Sequence, residues 1–315
     1  MTAIFKTKAG EQAVKALYES LLDGWPVPSR RLTVPTRQGD TFVLAAGPVD
    51  GPALVLLHGS AANSASWIAD MPVWSRDFTV LAVDIVGEPG LSAPSRPPLD
   101  SDAYAEWLDE VLAGLGLQSA AFVGLSLGGW MALDYAIRRP ERVDKLVLIS
   151  PGGIGRARNL LIWALPLLLL GRWGRRKMQE RIGGAAMTAP SFTESAIGRM
   201  SEAIFAHFRP RTAPLPVPDD AALAGLSMPV MAVLGGKDVF IDAPGTRKRL
   251  EAQVRRLTMR YLPEGRHFMP GQSGAVLDFL KENETEARHA RIGPVRGWWG
   301  RVTTVEPSPP PKPPR

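Results

Sequence analysis

The residues best placed to do chemistry in this chain lie in one short stretch, Gly124-Leu125-Ser126-Leu127-Gly128-Gly129. A serine with glycine two residues before it and two after matches the G-x-S-x-G pattern of a nucleophile held at a strand-to-helix turn. The flanks supply that setting. Ala120-Ala121-Phe122-Val123 reads as a short buried strand, and Trp130-Met131-Ala132-Leu133-Asp134-Tyr135-Ala136-Ile137 has the apolar spacing of a buried helix. The glycines answer a crowding problem: the serine must take a strained backbone conformation, and neighbouring chain passes too close to its flanks for a Cβ. The amide of Leu127 and the start of the helix dipole then face the same space as the hydroxyl.

A serine hydroxyl is a weak nucleophile at neutral pH. It needs a histidine base within hydrogen-bonding reach and a carboxylate that fixes the tautomer of that base. His267 stands in Pro263-Glu264-Gly265-Arg266-His267, just after the run Leu257–Leu262. Asp238 stands in Gly235-Gly236-Lys237-Asp238, just after the run Pro229–Leu234. The chain order Ser126, Asp238, His267 is the Ser…Asp…His order of one hydrolase architecture. Two other carboxylates compete for the acid position. Asp242 lies a turn further from its strand end, and Asp84 follows an earlier strand, where a loop-fixing role is expected; Asp238 is preferred.

The elements that must hold these residues alternate along the chain. Apolar runs at Ala53–Leu57, Phe78–Val83, Ala120–Val123, Lys145–Ile149, Pro229–Leu234 and Leu257–Leu262 read as strands buried on both faces. Helical patterns at Ala103–Gly114, Gly129–Arg138 and Thr246–Val254 lie between them. Such alternation predicts a mostly parallel central sheet of about eight strands covered by helices, with its chemistry at the carboxyl ends of the strands. Residues 11–23 predict a surface helix on the main body. Arg31–Thr36 and Thr41–Ala46 predict a hairpin turned by Arg37-Gln38-Gly39-Asp40. The alternation breaks between Pro151 and about Leu226, where no strand is predicted; this segment is expected to be an inserted helical cap. The expected organisation is a core from 1–150 and 227–285, a cap over 151–226, and a flexible Pro-rich basic tail over 286–315.

Composition removes several functions. The chain has 315 residues and no cysteine, so disulfides, thiolate catalysis and cysteine metal sites are excluded together. Only four histidines are present (His58, His207, His267, His289), without H-E-x-x-H spacing, so no metal and no cofactor is expected. His207 and His289 are expected to be solvent-exposed. The longest apolar run, Leu160–Leu170, contains Pro166 and is too short to span a bilayer. With no signal-peptide pattern at the N-terminus, a cytoplasmic, soluble protein is expected. Between Pro151 and Pro210, nine Arg or Lys stand against three Glu, a difference of 9 − 3 = +6 that equals the net charge of the whole chain. A solvated helix face is the favoured reading of that cluster. No aromatic residues are interleaved at base-stacking spacing, so nucleic acid is not an expected partner. Membrane-surface contact of the cap is open but not favoured.

Taken together, His58-Gly59-Ser60-Ala61, Asp84, Gly124–Gly129, Gly235–Asp238 and Gly265-Arg266-His267-Phe268 resemble the α/β-hydrolase superfamily, over about Leu54 to Leu280. The resemblance is to a serine carboxylesterase-like member with a helical cap after the sixth strand. It implies an oxyanion hole formed by the amides of Leu127 and Ser60, with Ala61 as the alternative to Ser60. It also implies that His58 packs behind the oxyanion loop, hydrogen-bonding the backbone. Some relatives take their acid from the end of the strand after the elbow strand, but Ser150-Pro151-Gly152 offers no carboxylate there. The loop after Asp84 departs from the usual Gly-x-Gly-x-Ser and reads Gly87-Glu88-Pro89-Gly90-Leu91-Ser92, with Glu88 read as a loop residue. A serine at the elbow disfavours dehalogenase and epoxide-hydrolase chemistry. It leaves hydrolysis of a small-molecule ester through an acyl-enzyme, with an apolar acyl group contacted by Leu160–Leu170, Trp163 and Trp173. The alternatives are a carbon–carbon bond hydrolase, a lactonase or an aminopeptidase of the same fold, or a non-catalytic ligand-binding module.

Overall fold

Every uninterrupted apolar run becomes a strand of one sheet. The computed structural model describes residues 3–156, 167, 170–282 and 303–305. The strands are β1 (Ser29–Val34), β2 (Thr41–Ala46), β3 (Ala53–Leu57), β4 (Thr79–Val83), β5 (Ala120–Leu125), β6 (Val143–Ile149), β7 (Val230–Gly235), β8 (Leu257–Leu262) and β9 (Thr303–Val305). Their spatial order is β8-β7-β6-β5-β3-β4-β2-β1-β9. The pairs from β4 through β8 are parallel, while β1 and β2 form the expected antiparallel hairpin and β2 joins β4 antiparallel. The eight strands of the expected α/β sheet are therefore present. A ninth, short strand from the segment expected to be a tail pairs antiparallel with β1. His289 and the rest of that segment lie outside the described residues.

Burial explains why the central strands lack polar alternation. All residues of β2 and β4 are buried, as an inner strand covered on both faces requires. Side chains leaving opposite faces of β3 enter two cores. Val55 and Leu57 meet Trp107 and Trp130 on one side, while Leu54 and Leu56 join Tyr18 and Trp74 on the other. Truncating a buried tryptophan of this kind to alanine costs about 3–5 kcal/mol.

The N-terminal helix (Lys8–Asp23) starts three residues earlier than its apolar pattern, because the Thr7 side chain caps it by accepting from the Gly10 amide. It packs on more than the main body. Gly10 lies against His207 so closely that a Cβ would collide with the imidazole, which leaves His207 half-buried rather than solvent-exposed. Beside this contact, Lys6 N donates to His207 O at 2.8 Å and Arg209 N donates to Ile4 O at 2.8 Å. A T-shaped pair of Phe5 and Phe208 with ring centroids 5.7 Å apart completes the junction.

The insertion between β6 and β7 holds no strand of the sheet among its described residues; its longer helices are Gly171–Gly183 and Ala196–His207, and residues 209–219 return to the core without helix. The apolar segment Leu160–Leu170, with Trp163, lies outside the described residues except for Leu167 and Leu170. Trp173 is 58% exposed. Among the described residues no helix is long and apolar enough to cross a membrane.

Candidate active site

Ser126 occupies the turn between β5 and the helix Leu127–Arg138, with φ 53° and ψ −109°. That left-handed backbone is strained for a residue with a Cβ. Its surroundings hold it there. Ser126 N donates to Ile149 O at 2.9 Å, and Ser126 O accepts from Trp130 N at 2.9 Å. A Cβ on Gly124 would strike the Gly128 carbonyl, and one on Gly128 would strike the carbonyls of Leu57 and His58. The glycine spacing is thus a packing requirement imposed by β3 and by the helix itself. Leu127, as the first residue of that helix, has an N–H without an intrahelical acceptor, at the positive end of the helix dipole.

His267 and Asp238 arrive from adjacent strand ends. Their side chains meet with His267 Nδ1 2.8 Å from Asp238 Oδ2. The other carboxylate oxygen, Oδ1, accepts the amides of Phe240 at 2.8 Å and Ile241 at 3.2 Å. Asp238 is 2% exposed, so its carboxylate is fixed by the backbone on one side and aimed at the imidazole on the other. An imidazole that donates Nδ1–H to a carboxylate keeps Nε2 as its basic nitrogen. The edge of Phe240 packs against the His267 ring at 4.7 Å between centroids. The end of β6 ties this loop to the elbow: Ile149 O holds Ser126 N, and the next residue, Ser150, donates its hydroxyl to His267 O at 3.1 Å.

The competing carboxylates have other work. Asp242 caps the helix Ala243–Gln253 by accepting from Gly245 N at 3.2 Å. Asp84 is fully buried and accepts Tyr18 Oη at 3.0 Å, Ser64 N at 2.8 Å, Ser64 Oγ at 2.7 Å and Leu91 N at 2.8 Å. Those bonds organise the loops after β3 and β4.

His58 is fully buried in front of the loop that follows β3. Its Nε2 accepts from Ile85 N at 2.9 Å, so Nδ1 carries the proton and donates to Gly59 O at 2.8 Å. Burial lowers its pKa, outweighing the opposing pull of Asp84, and keeps the ring neutral. The bond has a geometric consequence. In a trans peptide the C=O and the following N–H point in opposite directions, so anchoring Gly59 O on His58 turns Ser60 N–H away from it. The Ala61 amide points elsewhere, donating to Glu88 Oε2 at 2.7 Å. The loop abuts the elbow, since a Cβ on Gly59 would lie 3.6 Å from Ser126 Cβ.

Glu88, read from the sequence as a loop residue, lies in the loop after β4 and is fully buried there. Burial raises its pKa to about 7 against the opposing effects of the Ala61 amide, Arg96, Arg211 and the Ser60 hydroxyl. The signal that was available is compositional: a carboxylate fixed between Gly87 and Pro89, immediately beyond a buried strand end, with Arg96 and Arg211 as counter-charges.

Among the described residues no three His, Asp or Glu side chains are grouped to hold a metal ion. A serine at a strained turn and a carboxylate-backed histidine whose loop is tied to that turn through β6 are groups of the kind that acyl transfer uses.

The alpha/beta hydrolase fold family matches residues 52–180. With the sheet order and the elbow, this match shows the alpha/beta hydrolase fold. Within that class it resembles carboxylesterases. Carboxylesterase YbfK of Bacillus subtilis (strain 168) is 42% identical over 134 residues, which is 42% of this chain and 45% of that protein. The chain thus spans less than half the length of the curated relatives it matches first. Structural similarity runs further. The crystal structure of naproxen esterase (carboxylesterase NP) from Bacillus subtilis aligns with a TM-score of 0.75 at 25% identity, covering 87% of this chain and 98% of that one. Carboxylesterase CesB (YbfK) from the same organism aligns with a TM-score of 0.74 at 28% identity, covering 87% and 99%.

Proposed function

We propose that the chain is a serine carboxylesterase acting on small-molecule esters. Ser126 attacks the ester carbonyl while His267 Nε2 takes its proton, and Asp238 orients and stabilises the imidazolium. The tetrahedral oxyanion is received by the amides of Leu127 and Ser60. His267 then returns the proton to the leaving alkoxide, and water drawn into the acyl-enzyme repeats the sequence with His267 as base. No cofactor takes part.

The observation that carries this reading is the bond between His267 and Asp238 at 2.8 Å, tied through β6 to a serine at φ 53°. The naming of the similar proteins as carboxylesterases supports ester over carbon–carbon or amide substrates. Turnover of p-nitrophenyl acetate, butyrate and octanoate tests it. The protein should hydrolyse at least one of them, and Ser126→Ala should lower kcat by about 10⁶-fold. Absence of turnover on all three by the intact protein would rule the reading out and leave a ligand-binding module on the same fold.

A further inference from the structure

We propose that Glu88 is a positioning residue for catalysis, fixing the Ser60–Ala61 peptide so that the Ser60 amide stays aimed at the developing oxyanion. The proposal rests on the reading of Ser60 and Leu127 as the oxyanion donors. Its evidence is a set of contacts that no duty in the fold core explains.

An oxyanion donor is useful only if it is already in place when charge develops, because reorientation in the transition state costs rate. The donor peptide here sits in a loop, where backbone is ordinarily most free. Two side chains remove that freedom. His58 holds the Gly59 carbonyl, which sets the plane of the Gly59–Ser60 peptide. Glu88 Oε2 accepts from Ala61 N at 2.7 Å, which sets the plane of the next one. Ala61 has φ 55°, a left-handed conformation that non-glycine residues adopt only when held.

Glu88 is itself held rigidly. Its loop is pinned by Asn63 Nδ2 on Pro89 O at 3.0 Å, by Leu91 N on Asp84 Oδ2 at 2.8 Å and by Ser92 Oγ on Asp84 O at 2.6 Å. The charged and titratable groups facing the carboxylate are Arg96, Arg211, Tyr104 and the Ser60 hydroxyl. Arg211 Nε lies 3.7 Å from Oε1, and Arg211 is in turn seated over the Tyr104 ring at 5.3 Å and bonded to its hydroxyl. Arg211 follows the long helix of the insertion, so the same carboxylate joins the oxyanion loop to the segment that returns from the cap. A fully buried acid is costly unless it is paired; here Oε2 is bonded to the Ala61 amide of this turn, while Oε1 has no hydrogen bond and faces Arg211.

Three variants separate geometry from charge: Glu88→Ala removes the acceptor, Glu88→Gln keeps an acceptor of the same length without charge, and Glu88→Asp keeps charge but withdraws the acceptor. Each is assayed with p-nitrophenyl butyrate, and for inhibition by a trifluoromethyl ketone of matching chain length, whose adduct places an oxyanion in the hole. Circular dichroism and melting check the fold. Glu88→Ala and Glu88→Asp should lower kcat by roughly 10–100-fold with KM changed by less than about threefold, and should weaken the ketone by the same factor as kcat. Glu88→Gln should recover most of both. A folded Glu88→Asp with full kcat overturns the proposal, as does a pattern in which Asp is active and Gln is not. Should Glu88→Ala fail to fold, the Gln and Asp pair still decides. Absence of turnover in the unmodified protein, with no labelling of Ser126 by a fluorophosphonate, would instead sink the esterase reading beneath it.

Discussion

His58, Asp84 and Glu88 are fully buried and Asp238 is 2% exposed, and each holds backbone amides or carbonyls at the carboxyl ends of the strands. The helical insertion presents the opposite picture: Leu170 is 53% exposed, Trp173 58% and Phe205 43%. The ion pair of Lys177 with Glu180 at 2.8 Å joins two half-exposed side chains there and contributes little. Next to His267, the insertion meets the core through backbone, where Phe268 N donates to Ile182 O at 3.1 Å. The contrast separates two demands. Stabilising a developing charge needs dipoles that do not move, so those residues are over-determined by buried bonds. Recognising an acyl chain needs only apolar surface of suitable shape, which many sequences provide.

The comparison can be broken experimentally, beginning with the largest effect. Asp238→Asn should lower kcat on p-nitrophenyl butyrate by about 10⁴-fold, through the wrong imidazole tautomer. Asp242→Asn, at a helix cap, should leave kcat within about twofold; the reverse result would exchange the two assignments. Glu88 supplies a test by pH. Its folded pKa of about 7 lies above the ordinary 4.5, so the folded state binds this proton more tightly than the unfolded chain. The stabilisation is complete below about pH 4.5 and is lost as pH rises through about 7, on the order of 3 kcal/mol. The melting temperature of the unmodified protein should therefore fall relative to that of Glu88→Gln between pH 5 and pH 8, as followed by scanning calorimetry. A constant difference would contradict the burial cost. Gly128→Ala pushes a methyl into the carbonyls of β3 and should cost about 1–3 kcal/mol in urea denaturation. On the other side of the comparison, Trp173→Ala should change stability by less than about 0.5 kcal/mol, because its side chain projects into solvent. A larger loss would mean the insertion is as tightly built as the sheet.

The same division governs what was legible beforehand. β2, β3 and β8 run over the residues their patterns predicted; β2 and β3 are covered on both faces, whereas β8, also read as buried on both faces, is the edge strand and leaves Thr258 and Arg260 exposed. The loop residues after β5, β7 and β8 could be inspected one by one, and Ser126, Asp238 and His267 were singled out that way. Glu88 was not, since its burial depends on Arg211 and Ala61, which are distant in sequence and contribute no periodicity. The partnership of His207 with Gly10 was invisible for the same reason: a helix pattern shows which face is apolar, never which distant element covers it.

The junction between the N-terminal segment and the end of the insertion's long helix also has a kinetic side. Phe5 bridges to Phe208, roughly two hundred positions later in the chain. Such a contact closes a very long loop and belongs among the last to form during folding. Until it does, the face of the N-terminal helix carrying Val14, Tyr18, Leu21 and Leu22 has only part of its final cover. A half-folded chain would therefore offer that helix to other chains, and aggregation during refolding should respond to changes there before it responds to changes in the sheet.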